Sequence, residues 1–532
     1  MIRSGRRGLL AAGAAALMAG RATPGLAQAG RLSTLDMPPQ FLPLKLDDTV
    51  AAGYRRDVLV RWGDRVTYDA AVWNPMAPTP AAAATQFGWD GRICGMVVPP
   101  TGTDGVPRAL LAVVHPFVDP AMAFAGGTDR PAVAAMMQGA SLLNIVRLNG
   151  RWTVVDGGYQ SRRLTAATLC RITGPAAEAM GGLVQGLLGP MGGCATPWGT
   201  MLLAEGDPSP WLTRLSRVDA RFSDAARYGW VAELNPLDPG ALPMKRSALG
   251  RFAHADAAAT RSRDGRAVIY LPDAGGGGYL YRFVSAGPSD APDALDRGSL
   301  SVARMSAGRL TWLPLPGALD VLMNPAGAAR AAGAFGFERP SGITVDPGNG
   351  VVYLACRGLA GPPSQALGQR IGGGMGQVLE LAPDGGDPAA GGAVANVLLM
   401  GGMPDAHLAR LARSWPASPA ALSIDGAGRL WIGSDHRGRG FEAPDALFGT
   451  DTAGPGRGLA LPIYAAPVGA AIGGSAMTPD AATLFAIVRT PGATPGASFA
   501  APSTRWPAFD PALPPRTTLI ALSSISGAPV GG

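Results

Sequence analysis

Three segments of this chain repeat one pattern: an apolar strand, a turn carrying an aspartate, then a second apolar or aromatic strand. They are Ile343-Thr344-Val345-Asp346-Pro347-Gly348-Asn349-Gly350-Val351-Val352-Tyr353-Leu354-Ala355, Leu422-Ser423-Ile424-Asp425-Gly426-Ala427-Gly428-Arg429-Leu430-Trp431-Ile432-Gly433 and Ala476-Met477-Thr478-Pro479-Asp480-Ala481-Ala482-Thr483-Leu484-Phe485-Ala486-Ile487-Val488. Asp, Pro, Gly and Asn supply the turn geometry, and the flanking β-branched and aromatic residues favour strand pairing. A hairpin unit that recurs at long, irregular intervals predicts an all-β chain, a β-propeller with loop and short helix insertions. A decorated β-sandwich is the alternative. The 76 Gly and 49 Pro in 532 residues suit many turns, and 47% hydrophobic content suits a packed core rather than disorder.

Further hairpins are expected over Leu143–Val155, over Val268–Val284 around Gly275-Gly276-Gly277-Gly278, and over Gly229–Leu234. Short helices are expected at Asp405–Arg413 and at Ala326–Gly333, the latter following Pro325. Gly372–Gly376, Gly385–Gly392 and Thr490–Ser503 read as surface loops.

The N-terminus has a basic head with Arg6-Arg7, then Leu9-Leu10 and an Ala/Leu/Gly run, and closes on Ala27-Gln28-Ala29. That layout predicts a twin-arginine export leader over residues 1–29, with a single domain over 30–532. The apolar run is too short to span a bilayer, and no later stretch is apolar enough, so the mature protein is expected to have no integral membrane segment. The expected location is the periplasm or outside the cell.

The formal charge is +7, and the leader holds Arg3, Arg6, Arg7 and Arg21 with no acids. The remaining excess is small and diffuse, which argues against a nucleic-acid partner. Cys94, Cys170, Cys194 and Cys356 are scattered without a C-x-x-C spacing, so neither a disulfide framework nor a zinc site is indicated.

Two blocks carry more specific information: Thr196-Pro197-Trp198-Gly199-Thr200 followed by Glu205, and Arg246-Ser247-Ala248-Leu249-Gly250-Arg251-Phe252-Ala253-His254. With Phe87-Gly88-Trp89, Tyr279-Leu280-Tyr281-Arg282-Phe283-Val284 and Arg339-Pro340, they occur in an order that resembles the PhoX-type secreted alkaline phosphatases, from about Pro43 to about Gly492. The resemblance implies a six-bladed propeller whose mouth holds iron and calcium, ligated by a thiolate and several carboxylates, with an arginine near the phosphate. Clustered cations neutralise a phosphomonoester dianion, calcium takes oxygen ligands, and a thiolate can hold iron.

At most positions where that pattern carries an acid, this chain does not. Val114-His115-Pro116, Ala255, Ala274, Ser341-Gly342, Ala420-Ala421 and Ala471 stand there instead, and Arg489-Thr490 replaces a Gln-His pair. The candidates that remain are Cys194, Glu205, Asp273 and Asp256 for metal and Arg339 for the anion, with Glu233 and His254 behind them. Cys194 also stands closer to Trp198 than in that pattern. Fewer carboxylates hold fewer cations, so calcium and iron are expected to be reduced in number or lost. Two readings follow: a metal-dependent phosphomonoesterase with a reduced site, or a propeller that has lost catalysis and serves as a periplasmic binding or scaffold protein. Either could take a phosphate ester or phosphate-like anion. A one-calcium lactonase is a third reading, but it needs a compact Glu/Asn/Asp set that the chain lacks.

Overall fold

The computed structural model describes residues 33–37, 40, 42–358, 374–402, 415–437 and 443–532, which are mostly β-strand with a few short helices. The leader and the helix expected at Asp405–Arg413 lie outside the described residues, as do Gly372 and Gly373.

The three aspartate turns occupy equivalent places. They join Pro340–Val345 to Val352–Cys356, Pro419–Ile424 to Arg429–Ser434, and Ala471–Met477 to Leu484–Arg489, each pair antiparallel. In each turn the aspartate Oδ1 accepts an amide two residues on: from Gly348 at 2.8 Å, Ala427 at 2.9 Å and Ala482 at 3.0 Å. The short carboxylate thereby replaces a backbone acceptor and fixes the reversal.

The hairpin of Gly139–Leu148 with Arg151–Val154 turns on Asn149 and Gly150, both at positive φ (51° and 76°), as a two-residue Asn-Gly turn requires. Strands Arg266–Pro272 and Leu280–Pro288 flank the glycine run, and a helix covers Pro325–Ala331, as the sequence indicates. Gly229–Leu234 departs from expectation. It supplies one strand, Val231–Leu234, paired with Met201–Glu205 and Met244–Arg246. The Gly229 and Trp230 amides bind the Glu205 carboxylate instead of a second strand.

The strands Arg92–Val97, Pro190–Ala195, Ala258–Arg261, Pro340–Val345, Pro419–Ile424 and Ala471–Met477 each pack against the next, and the last packs against the first. Each sits at a sheet end, the nine-stranded sheet contributing both of its ends. Early strand Tyr54–Arg61 pairs antiparallel with late strand Thr518–Ser524, from Tyr54↔Ser524 to Arg61↔Thr518, in the sheet that ends on Ala471–Met477. Hydrophobic side chains fill the spaces between adjacent sheets. One such cluster joins Trp431, Ile463, Ile472, Leu484 and Ile520, all nearly inaccessible. Helices Pro131–Met137 and Ser209–Leu215 build a separate cluster with Trp62, Trp89 and Trp211.

Candidate functional site

The ring of strands encloses a channel of about 250 Å³, lined by Arg92, Cys94, Cys194, Asp256, Ser423 and Ser475 among others. A second pocket of about 460 Å³ shares Arg92 with it and is also lined by Ala255, Ala274, Glu338, Arg339, Ser341 and Arg357. Strand starts and ends place these groups. Arg92 opens one channel strand, Arg339 and Ser341 flank Pro340 at the start of another, and Arg357 directly follows Val352–Cys356. Ala255, Ala274 and Ser341, three positions at which the PhoX-like pattern expects an acid, therefore converge on one pocket lined by three arginines and a single glutamate.

The charges there are unevenly matched. Arg92 is buried and donates only to carbonyls, Ala255 O at 3.2 Å and Ala420 O at 3.1 Å. Among the described residues no carboxylate comes within ion-pair distance of it. Burial pulls its pKa below the usual arginine value, with Asp256 opposing. Arg339 is exposed, with one long hydrogen bond to Gly358 O at 3.4 Å. Arg357 is pulled down to about 10 by burial, with Arg339, Arg437 and Arg489 adding to the effect and Asp435 opposing it. Its Nε and Glu338 Oε1 are both buried atoms without a hydrogen-bond partner among the described residues.

Beside the pocket lies a buried ionic network. Arg489 holds Asp90 with two bonds, 2.8 Å and 2.7 Å, and reaches Asp435 at 3.2 Å. Asp435 also takes Arg357 at 3.2 Å and Arg437 at 2.9 Å. Although burial works against it, Arg437, Arg357 and Arg489 hold the Asp435 carboxyl well below the usual range. Left-handed backbone at non-glycine residues gathers around this network: Arg339 (φ 48°), Ser418 (53°), Arg437 (49°) and Thr490 (43°). Such conformations persist where the surroundings over-determine them, commonly at functional sites.

The structure brings some sequence candidates together and separates others. Cys194 and Asp256 share the channel, and Arg339 lies on the adjoining pocket. Asp256 works as a clasp between strands: Oδ1 accepts from Gly193 N at 2.7 Å and Ala257 N at 2.9 Å, and Oδ2 from Ile343 N at 3.3 Å. Burial pushes its carboxyl up to about 6 and raises the Cys194 thiol well above its ordinary value.

Glu205 and Asp273 line neither cavity. Glu205 is inaccessible and fully engaged by Lys245 and three backbone amides. Asp273 accepts from Gly275 N at 2.7 Å and is pushed up to about 6 by burial. Glu233 pairs with Arg246 at 2.7 Å and accepts from Thr200 Oγ1 at 2.6 Å. His254 is buried with Nδ1 on Glu205 O at 3.0 Å, and burial lowers it to about 3, so it is neutral. Sequence reasoning missed Asp90, Arg92, Arg357 and Asp435. The one signal for this network was the Arg489-Thr490 replacement.

These residues do not fit a cluster of iron and calcium. Among the described residues no three His, Cys, Asp or Glu side chains converge as a metal site. Apart from Glu338, whose Oε1 has no partner among the described residues, the candidate acids are bonded to amides, to guanidiniums or to Lys245, and the channel side of the pocket carries the cation of Arg92. A group of mutually close cations needs compensating carboxylates, and here most of that anionic capacity is already used.

Sheets packed side by side around a channel, with guanidinium groups at a pocket beside it, define the class: an all-β protein with a basic, concave site. The chain belongs to the alkaline phosphatase PhoX family, whose model matches residues 41–492. It is similar to the Pseudomonas fluorescens PhoX solved in complex with vanadate, a transition state analogue, with 27% identity and a TM-score of 0.81, covering 94% of this chain and 100% of that one. A putative gluconolactonase aligns over 90% of this chain and 94% of its own at 10% identity and a TM-score of 0.32, too distant to bear on function. No curated protein matches the chain.

Proposed function

We propose that this PhoX-family protein takes a phosphomonoester or phosphate-like anion in the pocket of Arg92, Arg339 and Arg357, on a six-bladed propeller formed as one domain over residues 30–532. The convergence of those arginines with Ala255, Ala274 and Ser341 carries this reading. The closed ring of channel strands supports the propeller, and the vanadate complex of the Pseudomonas fluorescens relative supports an oxyanion. Guanidiniums present planar, permanently charged forks to phosphate oxygens and hold them in a fixed orientation. They neutralise the charge without activating a water, and the lining hydroxyl, Ser341 Oγ, is turned to Ala355 O at 3.4 Å. Phosphomonoesterase turnover is therefore expected to be weak, which is the reduced-site form of the family activity.

The experiment is a titration of the purified protein with inorganic phosphate and with p-nitrophenyl phosphate, for binding and for hydrolysis. Arg339→Ala should weaken binding by about 1.5 kcal/mol, or roughly tenfold, the low end for a hydrogen bond to a charged group because the side chain is exposed and screened. Unchanged affinity assigns Arg339 to the loop structure instead. Rapid hydrolysis by the protein as purified overturns the weak-turnover expectation.

We also propose export by the twin-arginine route to the periplasm or beyond, on the basis of Arg6-Arg7, Leu9-Leu10 and Ala27-Gln28-Ala29. Among the described residues no helix is long and apolar enough to cross a membrane. The exported protein should begin at Gly30, and Lys-Lys at positions 6 and 7 should strand the precursor. Undiminished export of that variant would count against the route.

A further inference from the structure

The misfit between these residues and a metal cluster has a positive counterpart. We propose that the pocket binds its oxyanion without any metal, the guanidiniums of Arg92, Arg339 and Arg357 that line it supplying the positive charge in covalently fixed form. The proposal rests on the anion-binding reading above and specifies where the charge comes from.

Arg357, Arg437 and Arg489 share Asp90 and Asp435 as the acids that pair with them, while Arg92 has only the carbonyls of Ala255 and Ala420. Asp256, the next carboxylate, makes no ion pair with Arg92 and is engaged by the Gly193, Ala257 and Ile343 amides. Arg92 is therefore a buried cation with no paired acid among the described residues, and Arg357 and Arg437 share Asp435 with Arg489. Buried charge without a partner is strongly unfavourable, and an anion seated beside Arg92 and the unpartnered Nε of Arg357 would relieve it. The same guanidiniums repel calcium or iron.

The guanidiniums are also held in place before any ligand arrives. Arg489 is gripped by both Asp90 oxygens, at 2.8 Å and 2.7 Å. Arg357 is tied to Asp435 O at 2.6 Å, and Arg92 spans carbonyls on two neighbouring segments at 3.2 Å and 3.1 Å. Donors fixed in this way bind an anion with little reorganisation.

The test measures inorganic phosphate and vanadate binding by calorimetry on the full exported chain, before and after exhaustive EDTA treatment, with elemental analysis of the same sample. The expected result is a Kd that changes less than about twofold on chelation, in protein holding less than stoichiometric metal. Arg357→Gln should weaken binding about tenfold or more, before and after chelation alike. If that variant fails to fold, Arg92→Lys, which keeps the charge but loses the fork across two carbonyls, serves in its place. Binding that disappears with EDTA, or stoichiometric calcium or iron in the purified protein, overturns this inference and leaves the pocket reading standing. Absence of binding in both conditions overturns the pocket reading and this inference together.

Discussion

Glu205→Ala should destabilise the fold by about 3–5 kcal/mol, the range for removing one partner of a buried ion pair. Glu205 and Lys245 are both inaccessible, and their charges meet at 2.8 Å. Oε1 also accepts from Leu188 N at 2.8 Å, and Oε2 accepts from Gly229 N at 2.9 Å and Trp230 N at 3.0 Å. Without the carboxylate, the ammonium keeps only the Arg227 carbonyl at 3.0 Å and the face of Tyr228, 4.7 Å from its centroid. Three amides are left without an acceptor. Whole domains are stable by about 5–15 kcal/mol, so a large share is at risk.

The urea midpoint of the variant checks this, and Glu205→Gln should fall between it and the parent. A paired Glu205→Leu, Lys245→Met change should recover only part of the loss, because an apolar pair of similar size avoids burying either charge but leaves the three amides without an acceptor. A loss below about 1 kcal/mol in the single variant would show that Glu205 is not anchoring this region. It would then be free for another task, such as holding an ion.

The parts of the fold that are local in the chain were readable from it. Asp346, Asp425 and Asp480 each fix their own turn by bonding an amide two residues away, and Asn149-Gly150 does the same through backbone conformation. The site is not local. Glu205 looked like a surviving ligand because it follows the Trp198 block, yet its partner Lys245 is 40 positions on, in a strand nothing marks as its neighbour. Asp90 and Arg489 are 399 positions apart. Which acids remain can be read from the chain. Whether an acid faces a cavity, an amide or an arginine depends on how the sheets meet. The substitutions at 255, 274 and 341 were legible one at a time, and their convergence on one pocket appeared only with the fold.

Asp435→Ala should be at least as damaging as the loss of Glu205, again about 3–5 kcal/mol. One carboxylate, 2% exposed, serves Arg357, Arg437 and Arg489. Its removal leaves Asp90 as the carboxylate paired with the buried Arg489 and takes the carboxylate from the two half-buried guanidiniums of Arg357 and Arg437. Because the folded protein holds Asp435 below the ordinary value of 3.8, its contribution is present above that pH and is lost as pH falls below it. The parent should therefore lose its advantage over Asp435→Ala in acid and keep it at neutral pH. The loss grows only as pH falls further below 3.8 toward the folded value, so denaturant midpoints for both proteins at about pH 7 and about pH 2 measure the difference. Where Asp435→Ala does not fold, Asp435→Asn keeps the shape and removes only the charge. A folded Asn variant should bind phosphate more tightly than the parent, since the pocket gains positive charge without losing an arginine. Weaker binding in a folded Asn variant would mean that Asp435 aligns the arginines and that their alignment outweighs their summed charge.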